Sequence, residues 1–286
     1  MSLTLYIPLY KEFRLLPAQV EICRRFIKDI SRIVVLETPV GKFDFNSGGP
    51  YRLKRSVADD LEIEIVESTK AVLGYTRGER IARIFRWCVN FLIPQQKEDY
   101  ALILSGDVLP LHPVSIDELL CGYQIATRGP VVENNIIWCW IATKGGVELD
   151  INPYLGLPPM KIWEGGGPAT LDDLLVAAPV IGNTEAIKNL IGVSMTEYLP
   201  PCFIHLDKIS YGFDSLKFDL VSEAYNVKIP EREAVTEFVE DAPNWRFRYK
   251  TPSLWWLKKA SSRYCDNCNQ EFENKIIVPK NSKIFL

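Results

Sequence analysis

The first 110 residues alternate strand-forming runs with amphipathic, helix-forming runs, and this alternation limits the fold more than any other feature. The strand-like runs are Leu3–Leu9, Arg32–Glu37, Leu61–Ser68 and Tyr100–Ser105. The segment after the first run puts its apolar residues on one helical face, and residues 81–92 repeat that pattern. Strands that alternate with helices form a mostly parallel sheet covered on both faces, so we predict an α/β fold.

A single carboxylate, Asp107, follows the last of these strands. The stretch YALILSGDVLPLHP passes from an apolar strand through Ser105 and Gly106 to this acid and then to two prolines. Ligands of open parallel sheets bind beyond the carboxyl ends of the strands, where the strand order reverses. Asp107 is therefore a candidate ligand-binding acid. The alternative is that it caps the helix predicted to begin near Ser115.

Composition and charge exclude several classes of protein. The 286 residues are 47% hydrophobic and 24% charged, as in ordinary globular chains. A net charge of -3 argues against bulk electrostatic binding, so nucleic acid is not an expected partner. The sequence has no signal-peptide pattern, and its seven cysteines, an odd number, suggest reduced thiols. We expect a cytoplasmic protein.

The second half of the chain has a different character. Residues 115–126 predict a helix, and residues 131–143 predict a long strand or hairpin arm. A loop-rich segment follows, and residues 211–229 predict a helix that ends at Asn226 before another strand. We predict one domain over residues 1–240, with a first half at 1–130 and a second at 131–240, and a separate extension at 241–286.

The order of these segments resembles that of the GT-A-type glycosyltransferases, especially the family-2-like group, over roughly residues 3–240. LYIPLYKEFRLLPAQVEIC resembles their first strand and helix, and YALILSGDVLPLHPVSIDELL resembles the strand that carries their Asp-x-Asp motif. YGFDSLKFDLVSEAYNVKI resembles their acid-bearing helix. In this sequence the motif is Ser105-Gly106-Asp107, which keeps only the last acid, the one that usually touches the metal in that family.

The resemblance implies a GT-A-like enzyme that moves a sugar from a nucleotide-sugar donor to a glycan, lipid-linked or protein acceptor. Asp107 would hold Mn²⁺ or Mg²⁺, and Asp214 would act as the base, with Asp207 as its rival. His205 is expected to be a structural residue more than a metal ligand. The positions implied for donor binding are Pro8, Tyr10, Glu37, Arg80, Arg83, Ser105 and Asp107.

Two other functions remain open from the sequence. The missing first acid of the motif favours a catalytically inactive GT-A-like scaffold that binds a glycan, a membrane surface or a protein partner. A nucleotidyltransferase would share the parallel sheet and the metal-binding carboxylates. That class usually needs a basic, glycine-rich loop after the first strand, and PLYKEFRLLP contains no glycine.

The C-terminal extension is rich in aromatic and basic residues. Residues 244–264 contain six aromatic side chains and six cations but no acid, a composition that suits an anionic membrane surface. This predicts a peripheral location on the inner face of the membrane, although the same residues would also pack on the core or stack on single-stranded nucleic acid. Cys265 and Cys268 form a Cys-x-x-Cys pair, which supplies two of the four ligands of a closed zinc site.

Overall fold

The computed structural model describes residues 1–9, 12–37, 50–67, 87–128, 131–132, 135–136, 140–146, 161–163, 203–206 and 215–242. The strands in these ranges are β1 (Leu3–Leu9), β2 (Ile30–Glu37), β3 (Tyr51–Leu53), β4 (Glu64–Glu67), β5 (Tyr100–Leu104), β6 (Val108–Pro110), β7 (Ile125–Arg128), β8 (Val131–Val132), β9 (Asn135–Ile136), β10 (Trp140–Lys144), β11 (Lys161–Trp163), β12 (Phe203–His205) and β13 (Thr236–Phe238). The α-helices are α1 (Leu16–Phe26), α2 (Arg55–Asp60), α3 (Ile116–Leu120), α4 (Ser215–Tyr225) and α5 (Arg232–Val235).

A central sheet confirms the predicted fold class. Its described strands follow the order β11-β7-β10-β5-β1-β2-β4. All neighbouring pairs are parallel except those of β10, which runs antiparallel to both β5 and β7. The protein is therefore an α/β protein with a mostly parallel central sheet.

Strand β1 lies inside the sheet, between β5 and β2, and is buried at every position. Its alternate side chains enter two different apolar clusters: Leu5 and Ile7 pack with α1, whereas Tyr6 packs with Val34 and Ile103. Burial on both faces explains why this strand reads as a continuous apolar run rather than an alternating one. The same reasoning applies to β5, where Ala101–Leu104 is fully buried.

Smaller two-stranded sheets extend the fold beside the central sheet. Strand β6 pairs antiparallel with β12, and β3 pairs antiparallel with β13. Helix α4 is held against α1 and β6 because Tyr225 donates a hydrogen bond from its hydroxyl to Pro110 O at 2.9 Å and packs edge-on against Phe26. These contacts bring β12 and α4 next to the residues that follow β5.

Several predicted elements differ from the observed ones. The helix expected over residues 115–126 ends at Leu120, because Cys121 adopts a left-handed backbone with φ of 50°. Residues Ile125–Arg128 instead form β7, whose pairing with β10 and β11 buries Ile125 in the sheet. The strand expected over 61–68 is shorter, because Leu61 is the C-cap of α2.

Other predictions agree with the structure or lie outside it. Helix α4 ends at Tyr225, and the predicted stop at Asn226 is confirmed by its φ of 51°. Within the segment 131–143, the described residues form the short antiparallel pair β8 and β9 and the first four residues of β10. Residues 81–86 of a predicted helix and residues 243–286 lie outside the described residues. Within the described part of the chain, no helix has both the length and the apolar character needed to cross a bilayer.

Gly145 is the glycine at which the described packing leaves least room for a side chain. A Cβ there would lie 2.0 Å from Glu98 O and 2.4 Å from Gln96 Nε2. We expect Gly145→Ala to lower the free energy of unfolding by about 3 kcal/mol, because the backbone at Glu98 must move. Gly122→Ala is the matched control: its φ is 83° but nothing lies within 4 Å, so about 1 kcal/mol is expected. Urea denaturation of both variants measures the difference, and equal losses would contradict this account of the packing.

Candidate functional site

The candidate site lies where the order of the central strands reverses. The chain passes from β1 through α1 to β2 and then to β4 on one side, and it returns to β5 on the other side of β1. The carboxyl ends of β1 and β5 therefore meet at the reversal, which is where open α/β sheets bind ligands. Asp107 follows β5 at this edge, as the sequence predicts.

A tight turn over Ser105–Val108 carries Asp107. Val108 N donates to Ser105 O at 3.0 Å and closes the turn. Ser105 Oγ donates to Asp107 Oδ1 at 2.7 Å, and Leu206 N donates to Asp107 O at 2.7 Å. Both the backbone and the side chain of this acid are thus held by short hydrogen bonds.

His205 contacts the Asp107 carboxylate from strand β12. Strand β12 pairs with β6 so that His205 lies opposite Val108, and His205 Nε2 lies 3.2 Å from Asp107 Oδ2. Asp107 is 3% exposed and His205 is 9% exposed, so the pair is nearly shielded from water. Ser105, Asp107 and His205 do not form a nucleophilic triad, because the acid lies between the hydroxyl and the imidazole instead of beyond the imidazole.

Gln19 and Glu12 lie against the same turn, and sequence reasoning missed both of them. The Gln19 amide nitrogen donates to Ser105 O and to Val108 O, at 2.8 and 2.9 Å. A Cβ on Gly106 would lie 3.2 Å from Pro8 O and 3.4 Å from Glu12 Oε2, so a residue without a side chain allows this approach. A signal for Gln19 existed, since it lies three residues after Leu16 on the buried face of α1.

Glu37 ends β2 at the same edge of the sheet and is buried. Its Oε1 accepts a hydrogen bond from Leu53 N at 2.7 Å, which satisfies a backbone donor of β3. Burial raises the pKa of the Glu37 carboxyl, although the bond from Leu53 opposes this shift. Glu37 therefore stabilises β3 through this hydrogen bond, in addition to its predicted role in donor binding.

The structure brings together three of the residues predicted for donor binding. Pro8 is buried within β1, and its carbonyl oxygen lies against the turn that contains Ser105 and Asp107. Tyr10, Arg80, Arg83 and the two candidate bases, Asp207 and Asp214, lie outside the described residues. The alternative prediction is that Asp107 caps the helix that begins near Ser115. In the structure Ser115 itself occupies the N-cap position of α3, so Asp107 does not have that role.

The described residues fit part of a divalent metal site. They contain no group of three metal-ligating side chains, but Asp107 and His205 supply an oxygen and a nitrogen side by side. The 3.2 Å between Asp107 Oδ2 and His205 Nε2 is close to the separation of about 3 Å between adjacent ligands of an octahedral ion with bonds of about 2.1 Å. Magnesium-type sites often use few protein ligands together with phosphate oxygens and water. A cation here would replace the direct Asp107–His205 contact.

Comparisons with known proteins give structural similarity alone. No family model and no curated protein matches the sequence. Among solved structures, the chain is similar to glucosyl-3-phosphoglycerate synthase from Mycobacterium tuberculosis bound to UDP, at 13% identity and a TM-score of 0.31, over 73% of this chain and 91% of that one. The same enzyme bound to Mn²⁺, UDP and glucosyl-3-phosphoglycerate matches at 11% identity and a TM-score of 0.30, over 50% of this chain and 56% of that one.

A third structure of that synthase, with Mn²⁺, UDP-glucose and phosphoglyceric acid, matches at 15% identity and a TM-score of 0.26, over 45% of this chain and 43% of that one. The chain thus spans about half the length of the synthase structures with Mn²⁺ that it matches first.

Glu37→Gln tests the cost of burying a carboxylate at this edge. Because the folded-state pKa is raised, the folded state keeps its proton over a range in which the unfolded state has lost it, and stability falls as pH rises through that range. The amide oxygen of the introduced glutamine accepts the bond from Leu53 N, and the amide does not ionise. We expect the melting temperature of Glu37→Gln, relative to wild type, to rise as the pH increases above about 4, over the range in which the folded carboxyl ionises, as followed by circular dichroism. A constant difference across that range would contradict the assignment.

Proposed function

We propose that this protein is a glycosyltransferase of GT-A type that takes its sugar from a nucleotide-sugar donor and uses a divalent cation. The observation that supports this most strongly is the position of Asp107 at the reversal of strand order, with His205 beside it. In an open α/β sheet that position is where a nucleotide's phosphates bind. The proposal includes one catalytic domain over residues 1–240.

Asp107 and His205 would hold the cation together with the donor diphosphate. A bound divalent cation offsets the negative charge that collects on the departing diphosphate. The bond from Ser105 holds one Asp107 oxygen in place, and the β6–β12 pairing places His205 opposite Val108, next to Asp107. An imidazole ligand suits Mn²⁺ better than Mg²⁺, which prefers oxygen ligands alone, so we propose Mn²⁺ as the working ion.

The acceptor hydroxyl needs a base to take its proton, because an alcohol is a weak nucleophile. We assign this role to Asp214, which immediately precedes α4. Asp207 is the rival, and it directly follows Leu206, whose N–H bonds Asp107 O.

We also propose that the aromatic and basic residues at 244–264 contact a membrane surface on its cytoplasmic face. That location suits a lipid-linked acceptor, and a glycan or protein acceptor would not require it.

Asp107→Asn tests the metal role with little change in shape. We expect hydrolysis of a panel of nucleotide sugars in the presence of Mn²⁺ to fall by about 100-fold or more, because the neutral amide no longer attracts the cation. Product nucleoside diphosphate is measured by coupled assay. Asp117→Asn is the control: Asp117 is an acid in the first turn of α3 that bonds Tyr100. Wild-type rates in Asp107→Asn would rule out this role.

A second function, a binding scaffold without turnover, is favoured by one observation. Both oxygens of Asp107 meet protein partners within 3.2 Å, so the acid is also explained as a buried structural pair with His205. In that case Asp107→Asn would lower stability and nothing else. Thermal shift with UDP, GDP, CDP and ADP, each with and without Mn²⁺, separates the two functions. Stabilisation of wild type by a diphosphate only when Mn²⁺ is present supports the enzyme, and its absence with all four supports the scaffold.

A further inference from the structure

We propose that Gln19 is the positioning residue that fixes Asp107 in the orientation needed to hold a cation. This inference rests on the proposed function. Gln19 is on α1 and is 0% exposed. Its amide nitrogen bonds the carbonyl oxygens of Ser105 and Val108, the first and last residues of the turn that carries Asp107.

The geometry makes Gln19 a brace across the whole turn. The distance to Ser105 O is 2.8 Å and the distance to Val108 O is 2.9 Å, so one amide group uses both of its hydrogens on the two ends of the same turn. Ser105 O also accepts the turn-closing bond from Val108 N. Any change in the turn that moves Asp107 must therefore weaken a bond to a fully buried side chain.

Burying the Gln19 amide costs free energy that the two bonds to the turn offset. Among the described residues, Gln19 Oε1 has no hydrogen-bond partner, although it is buried. Leaving a buried acceptor unsatisfied is destabilising, and an apolar residue of similar size would avoid this. The two donated bonds compensate for this cost, and both serve the turn that carries Asp107.

The other elements around the turn hold Asp107 from different directions. Leu206 N binds Asp107 O from the end of β12, and Ser105 Oγ binds the carboxylate from within the turn. Gln19 adds the contact from α1, which is rooted in the main core beside β1. Removing it should leave the fold intact but let the carboxylate move relative to His205.

Gln96 offers a matched control at the opposite edge of the same sheet. It too is buried, and its amide nitrogen donates to two backbone carbonyls, those of Glu98 and Tyr100, at 3.0 and 2.9 Å. Both of these carbonyls lie before or at the start of β5, whereas Asp107 follows its end. Gln19→Met and Gln96→Met therefore each remove two bonds from a side-chain amide to backbone carbonyls, one pair at the candidate site and one away from it. Gln96→Met also removes the bond that Gln96 Oε1 accepts from the Tyr6 hydroxyl at 3.0 Å, so its loss of stability is expected to be the larger.

The test compares the two variants by NMR and by metal binding. The chain has two histidines, buried His205 and half-buried His112, so the spectrum contains two sets of imidazole signals to assign. At a fixed pH and without metal, we expect Gln19→Met to shift the His205 signals and leave those of His112 unchanged, whereas Gln96→Met shifts neither. Both variants should lower the melting temperature.

With UDP present, Gln19→Met should weaken Mn²⁺ binding by about 10-fold or more, as measured by electron paramagnetic resonance, and Gln96→Met by less than about 2-fold.

The outcomes separate this inference from the proposed function. Unshifted His205 signals in Gln19→Met, or equal shifts in both variants, would overturn the positioning role whatever the metal does. Shifted His205 signals with no Mn²⁺ binding by wild type would support the brace and refute the enzyme. If Gln19→Met does not fold, Gln19→Asn keeps an uncharged amide on a side chain one carbon shorter, which cannot reach both turn carbonyls, and the same His205 shift is expected.

Discussion

Parallel pairing of β1 with β5 is the constraint on which the candidate site depends. The register runs from Leu3 opposite Tyr100 to Tyr6 opposite Ile103, so both strands end at the same edge of the sheet. Because β2 lies on the other side of β1, this pairing also creates the reversal of strand order. The turn after β5 emerges beside the carbonyl of Pro8, and Asp107 takes its position from that turn.

The residues that contact the turn carrying Asp107, His205 and Gln19, come from distant parts of the chain. Strand β12 brings His205 to Asp107 through three backbone pairs with β6, and α1 brings Gln19 to the turn that carries Asp107. The site is therefore assembled by three elements that each belong to the core, and the 3% exposure of Asp107 follows from this assembly. Burial strengthens the electrostatic pull of the carboxylate on a cation, but it also gives Asp107 enough protein partners to be a structural residue.

Sequence patterns predicted the parts of this arrangement that depend on local signals. The apolar runs at β1, β2 and β5 are continuous because both faces are buried, and the placement of Asp107 after β5 follows from chain order alone. The β7 strand was missed, because Ile125 and Ala126 continue a helical pattern and become a strand only by pairing with β10 and β11. The contact between His205 and Asp107 is not predictable from the sequence, because no local signal shows that β12 pairs with β6.

The central claim is that Asp107 binds a divalent cation that carries a nucleoside diphosphate. A crystal structure of the protein with Mn²⁺ and UDP, with anomalous data collected at the manganese edge, tests it most directly. The account predicts an anomalous peak within bonding distance of Asp107 Oδ2 and His205 Nε2, with diphosphate oxygens completing the ion's ligands. Manganese bound elsewhere, or absent, with Asp107 and His205 still 3.2 Å apart and in direct contact, would contradict it.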